Sequence, residues 1–188
     1  LLNGDVGRIS KEQKELIGKA YETNERMIML VNDLLNAARV EEGKMISKPS
    51  FVDVSAVIQS TLADLQVKKK EKKMKIAFGR SKENLPKVFV DEEGLKLVIQ
   101  NLLENAIQYT HSGGAITVAC AFQNGNVTFS VEDTGIGITE QEKERIFTKF
   151  FRGQNATRME TRGSGLGLFI AKKIVEALGG KIWFSYKE

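Results

Sequence analysis

The stretch QNLLENAIQYT, residues 100–110, sets Asn101 and Asn105 four positions apart among leucine, isoleucine and alanine. On a helix, residues i and i+4 stack on one face, so two side-chain amides share a polar stripe with Gln108 and Tyr109 beyond them. Asparagine is a mediocre helix former, and an apolar core gains nothing from unpaired amides. A ligand that uses amide oxygens and N–H groups would account for them. Two glycine clusters follow. VEDTGIGI (131–138) runs off a strand pattern into a turn, where Gly135 and Gly137 let backbone come close to a ligand. Asp133, at the end of that strand, is an acceptor-only group when ionised. GSGLGL (163–168) precedes a helical pattern, and free N–H groups with the helix dipole suit such a start to phosphate. Each cluster alone is equally an ordinary turn or a packing device. The second also lacks the preceding strand that a dinucleotide-binding fingerprint requires. In order, however, the parts meet the needs of a nucleotide: a carboxylate for the adenine amino group, an aromatic face, amide oxygens for hydrated Mg²⁺, and N–H groups for phosphate. Magnesium keeps several of its waters, so one neutral asparagine beside the phosphates is chemically sufficient.

The elements that position these residues follow from pattern and punctuation. Ser10 and Gln13 form a capping box, which predicts a helix starting near residue 10. It carries two adjacent apolar stripes, one through Leu16, Met27, Leu30 and Leu34, the other through Ile17, Ile28, Val31 and Leu35. Such a wide face suits a bundle helix. Its packing partners are expected outside this sequence or in a second copy of the chain. Gly43 and Pro49 end the segment. VSAVIQSTLADLQVKKK reads as a helix capped by Asp53, MKIAF and KVFV as short strands, and Asp91 as the cap of the amide-bearing helix. AITVACAFQNGNVTFSVED is a hairpin turning at Asn124-Gly125. TEQE (139–142) is a capping box opening a short helix to Phe147, and GQNATRMETRGSG (153–165) reads as a loop. LGLFIAKKIVEALGG is a helix with a glycine stop, and KIWFSY a last strand. The fold class is α+β: a two-layer sandwich with helices on one sheet face, preceded by a long bundle helix.

Composition sets the outer limits. The 188 residues are 41% hydrophobic and 28% charged, which suits a soluble globular chain of one domain with an appendage or two small ones. No apolar run is long enough to span a bilayer. Residues 1–10 lack the basic and apolar regions of a signal peptide. Cys120 is alone and reads as a reduced strand residue in a cytosolic protein. Much of the formal charge of +4 sits in KKKEKKMK (68–75). No aromatic or arginine interleaves that run, so it reads as a solvated helix end and not as a nucleic-acid interface.

Four of these stretches resemble, in order, the signature boxes of sensor histidine kinases. NLLENAIQYT is similar to the N box, DTGIGI to the G1 box, IFTKFFRG (146–153) to the F box and GSGLGL to the G2 box. The resemblance covers residues 49–188 as the ATP-binding catalytic domain. NERMIMLVNDLLNAARVEEGK similarly resembles the second helix of the dimerisation and phosphotransfer domain, which assigns residues 1–48 to that helical hairpin. The resemblance implies that Asn105 ligates Mg²⁺, with Asn101 one turn earlier facing the metal or the phosphates. Tyr109 would stack on adenine, Asp133 would accept its exocyclic amine, and Gly135 and Gly137 would shape that pocket. Phe150 and Arg152 would belong to a lid, Arg152 meeting the triphosphate as a charge-assisted donor. Gly163, Gly165, Leu166 and Gly167 would lead the lid back to its helix, with Leu168 lining the pocket. The implied activity is transfer of the γ-phosphoryl of Mg·ATP to a histidine. The implied partners are a response-regulator receiver domain and a second copy of the chain through the helical bundle, with any membrane attachment lying in N-terminal regions outside this sequence.

Asn101 stands where gyrase-type, mismatch-repair and chaperone ATPases of the same fold carry a glutamate that activates water, and a neutral amide cannot act as that base. Glu104, three residues on, is expected at the rim facing solvent. The acceptor histidine is absent. The only histidine, His111, falls in the loop YTHSGG and reads as a solvated side chain. The chain is therefore expected to be a fragment that starts at the end of the first bundle helix, LLNGD. Gln108 replaces the lysine usual in the family, and the final Gly-Thr turn and strand are missing. Two alternatives stand beside the kinase: a gyrase-like ATPase, and a non-catalytic nucleotide-binding or dimerisation module.

Overall fold

The computed structural model describes residues 7, 9–44, 48–65, 72–80, 85–159 and 163–185. Helix α1 (Lys11–Glu41) opens on the anticipated capping box. Gln13 N donates to Ser10 Oγ at 3.2 Å, and Ser10 N donates to Gln13 Oε1 at 2.8 Å. Gly43 takes φ +68° just past its end, a left-handed stop that favours glycine. Of the residues in α1 only Ala37 is buried. Leu16, Met27, Ile28, Val31, Leu34 and Leu35 are exposed, so the apolar stripes have no cover among the described residues.

Strand β1 (Pro49–Val52) pairs antiparallel with β3 (Val88–Asp91). No periodicity announces β1, because it is short, begins with proline and buries only Val52. Helix α2 (Val54–Asp64) is capped by Asp53, whose Oδ1 accepts from Ala56 N at 3.2 Å. It stops before the lysine run, and residues 66–71 lie outside the described residues. Strand β2 (Lys75–Arg80) runs parallel to β4 (Ala115–Gln123), which pairs antiparallel with β5 (Asn126–Asp133). Asn124 and Gly125 turn that hairpin with φ +51° and +78°, the primed geometry that matches strand twist. Cys120 is buried on β4, where burial first and the charge of Asp53 second push its thiol pKa up. By hydrogen bonding the strands form two sheets, β1–β3 and β2–β4–β5, where a single sheet was expected.

Helix α3 (Glu92–Tyr109) carries the amides, and Asp91 caps it, its Oδ1 accepting from Gly94 N at 2.8 Å. Two of its faces are consumed by packing. Ile99, Leu103 and Ile107 join Ile58, Ile116 and Val118 in the core over the sheets. Val98 and Leu102 pack with Ile170 and Ile174 of helix α5 (Gly167–Ala177) and with Ala37 of α1. Asn101, Asn105 and Gln108 occupy the face that remains.

Three expectations need correction. Beyond Thr139, a 3₁₀ turn at Glu140–Glu142 replaces the regular helix to Phe147. Helix α4 (Gln154–Met159) lies inside the stretch read as a loop; its first amide is held by a distant carboxylate, Glu142, whose Oε1 accepts from Gln154 N at 2.9 Å. Residues 181–185 have strand-like alternation but form no strand. They make no ladder, which is what fixes a strand, and Phe184 instead packs its ring 6.4 Å from that of Phe147.

Candidate functional site

A cleft of about 1200 Å³ opens between the polar face of α3, the end of β5, residues 146–153, the turn ahead of α5, and α1. It brings together Asn101, Asn105, Gln108, Tyr109, Asp133, Gly135, Gly137, Arg152, Gly163, Gly165, Gly167 and Leu168. Two anticipated residues lie elsewhere. Leu166 is 2% exposed and belongs to the α1–α3–α5 core, because the turn that frees the glycines directs its only large side chain inward. Phe150 is exposed and lines a neighbouring hollow of about 700 Å³; Phe151 faces the cleft in its place.

The glycine turns are required by space. Asp133 Oδ1 accepts from Gly135 N at 2.9 Å, and Tyr109 O accepts from Ile136 N at 3.1 Å. A Cβ on Gly135 would fall 2.4 Å from Tyr109 O and 2.6 Å from Asp133 Oδ1, so only glycine lets the turn close on both. Gly165 has φ +69°, and a Cβ there would meet the Phe150 carbonyl carbon at 2.8 Å. The first turn of α5 thus abuts α3: Asn101 Oδ1 would lie 2.9 Å from a Cβ on Gly167. With its oxygen so placed, the Asn101 Nδ2 group is buried without a hydrogen-bond partner. A buried unpaired donor is costly and suits an anionic oxygen arriving in the cleft. Asn105 offers a neutral amide four residues on. Among the described residues, no group of three or more His, Cys, Asp or Glu side chains is placed to hold a metal. An oxygen-seeking cation would take most of its ligands from phosphates and water.

Arg152 lines the cleft at the end of residues 146–153, its Nη2 donating to Ala156 O at 3.4 Å and its guanidinium against Gly163. Glu142 braces this region. Its Oε2 accepts from Thr139 N at 3.0 Å and its Oε1 from Gln154 N, and the Thr139 bond, followed by that to Gln154, outweighs burial and lowers its carboxyl pKa.

The wall supplied by α1 was not foreseen. Asp33, Asn36 and Arg39 line the cleft; Ser164 Oγ donates to Asp33 Oδ2 at 2.5 Å and accepts from Leu166 N at 3.1 Å. Lys149 forms an ion pair with Glu41 at 2.5 Å. Burial raises the Asp33 pKa, the Ser164 bond lowers it, and the nearby Glu104 charge raises it further. Glu104 is therefore no solvent-facing rim residue: it is half-buried and lines the cleft. The available signal was the helical spacing of Arg26, Asp33 and Asn36, which flank the Met27, Leu30 and Leu34 stripe on its polar side. His111 is exposed, as expected for a loop histidine.

Residues 90–188 match the family described as histidine kinase-, DNA gyrase B- and HSP90-like ATPases. This chain belongs to that family. Among curated relatives, the circadian input-output histidine kinase CikA of Synechococcus elongatus is 31% identical over 183 residues, covering 97% of this chain and 24% of CikA. The chain thus spans about a quarter of that relative's length. Among solved structures, full-length ShkA in complex with AMPPNP aligns with TM-score 0.73 and 28% identity, over 94% of this chain and 36% of that one. Histidine kinase ThkA in complex with response regulator protein TrrA aligns with TM-score 0.74 and 25% identity, over 96% and 49%. ATP binding is thus the family's shared property, and its histidine-kinase branch is where these relatives lie. No described helix of this chain is long and apolar enough to cross a membrane.

Proposed function

We propose that residues 49–188 bind Mg·ATP as the kinase domain of a sensor histidine kinase, and that residues 1–48 contribute a helix of its dimerisation and phosphotransfer domain. The observation that carries this reading is the convergence of Asn101, Asn105, Tyr109, Asp133 and Gly165 on one cleft. Asp133 keeps one oxygen on the Gly135 amide and has acceptor capacity left for the adenine amine. The Tyr109 ring supplies an aromatic face. Asn101 Nδ2 would donate to a phosphate oxygen, and the amide oxygen of Asn105 would hold Mg²⁺, which supplies neutralisation of phosphate charge when bound. This assigns Asn101 to phosphate and leaves the metal to Asn105. Arg152 adds a charge-assisted donor.

Asn101 cannot take a proton from water, so hydrolysis is slow and the γ-phosphoryl passes instead to a stronger nucleophile, a histidine nitrogen on a bundle helix outside this sequence. A response-regulator aspartate then receives it, and a second copy of the chain completes the bundle over the exposed stripes of α1. Phosphoryl transfer depends mainly on alignment and charge neutralisation, which the cleft residues provide. The test is to mix the chain with radiolabelled ATP, Mg²⁺ and a separately supplied histidine-bearing first helix. Acid-labile label on that helix supports the kinase; tight ATP binding without transfer favours a nucleotide-sensing module, a reading helped by Gln108 at the position usual for lysine.

A further inference from the structure

A helix leaves its last four carbonyls without intrahelical partners, and the last turn of α3 contains no basic residue of its own. That turn presents Gln108 and Tyr109 to the cleft, so its geometry sets theirs. Each of the four carbonyls has a donor. Ala106 O accepts from Thr110 N at 3.1 Å, and Tyr109 O accepts from Ile136 N of the glycine turn, also at 3.1 Å. The two between are held from a distant segment: Lys72 Nζ donates to Ile107 O at 2.8 Å and to Gln108 O at 2.7 Å. The same ammonium lies 3.4 Å from Thr110 O. A cation at a helix C-terminus is favoured by the helix dipole, and charge-assisted bonds are the strong ones.

The backbone of Lys72 grips the same region. Its carbonyl accepts from Gly113 N at 3.0 Å and from Ser112 Oγ at 2.9 Å, so the loop leaving α3 is drawn around this one residue. Lys72 does not line the cleft; it acts through what it holds.

We infer that Lys72 is a positioning residue of the nucleotide site, clamping the end of α3 so that Tyr109 and the Gly135–Ile136 turn stay in register to receive adenine. The inference rests on the reading of the cleft as an ATP site. Removing the ammonium leaves the Ile107 and Gln108 carbonyls without that donor. The last turn then frays, and the Tyr109 carbonyl that Gly135 packs against moves with it. The loss falls on the adenosine end of the ligand, not on its phosphates.

The experiment is calorimetric titration of the full chain, well below its melting temperature, with Mg·ATP and with ADP. Lys72→Met is expected to weaken both nucleotides by a similar factor of about tenfold, the size of a lost charge-assisted bond. Lys72→Arg, which keeps a multidonor cation, is expected to stay within about threefold of wild type. A lower melting temperature with both affinities within about twofold of wild type would reduce Lys72 to a structural clamp and overturn the inference. So would a loss confined to ATP, which would place its influence at the phosphate end. Wild type binding neither nucleotide would overturn the ATP site itself, a different outcome. Should Lys72→Met not fold, Lys72→Gln takes its place with the same expected loss.

Discussion

Ser164 Oγ donates to Asp33 Oδ2 at 2.5 Å, which fastens the glycine turn ahead of α5 to the C-terminal third of α1. Burial chiefly, with the Glu104 charge, raises the Asp33 pKa above the ordinary value, the Ser164 bond opposing. A carboxyl whose folded-state pKa is raised favours the folded state below its unfolded pKa of about 4, and that contribution is lost as pH rises through the folded value. Asp33→Asn removes the titration while keeping an acceptor. The melting temperature of wild type should therefore fall relative to Asp33→Asn as pH rises from about 4 towards neutrality. Parallel curves would mean that Asp33 is not desolvated in this contact.

Gly135→Ala should damage the site more than its size suggests. Its Cβ would enter within 2.4 Å of Tyr109 O, displacing the backbone that positions both Tyr109 and Asp133. A stability loss of about 1–3 kcal/mol is expected in chemical denaturation, with weakened ATP binding in the fraction that remains folded. Gly165→Ala adds a left-handed φ of +69° to a contact of 2.8 Å and should behave likewise.

The core and α1 should respond oppositely to truncation. Leu103 is fully buried beneath α3, and Leu103→Ala should cost about 2–5 kcal/mol in urea denaturation. Leu34 is 56% exposed on α1, and Leu34→Ala should change stability by less than about 0.5 kcal/mol at concentrations where the chain is monomeric. A large effect of Leu34→Ala under those conditions would reveal a packing partner within the chain.

ATP turnover separates the kinase from a gyrase-like ATPase. Glu104 lines the cleft and is the nearest carboxylate in sequence to the helix position where a hydrolase needs its base. With Asn101 at that position, basal turnover should be slow and unchanged in Glu104→Gln, measured by phosphate release. A large fall in Glu104→Gln would make Glu104 the general base and favour a hydrolase.

The local signals were legible and the long-range ones were not. Ser10, Asp53 and Asp91 cap helices where the sequence placed them, and Asn124-Gly125 turns the hairpin, because each of these structures is decided within a few residues. The parts of the cleft were legible only in combination: amides at 101 and 105 followed in order by glycines at 135, 137, 163, 165 and 167, where each cluster alone reads equally as an ordinary turn. What stayed hidden depends on partners far along the chain. Helix α4 starts on a carboxylate twelve residues away, β1 exists only by pairing with β3, and Lys72 reaches carbonyls 35 and 36 positions distant. Residues 181–185 carry strand periodicity without a ladder, which periodicity alone cannot reveal. Leu166 and Phe150 were misplaced for a related reason: neighbours in a box share a motif, not a direction.

Whether one cleft receives the nucleotide is tested most directly by calorimetric titration of wild type, Asp133→Ala and Asn105→Ala with ATP, with and without Mg²⁺. Wild type should bind one ATP per chain, Asp133→Ala should bind at least about tenfold more weakly, and Asn105→Ala should lose the Mg²⁺-dependent part of the affinity. Absence of binding by wild type, or affinities unchanged in both variants, would contradict the placement of ATP between α3 and the glycine turns.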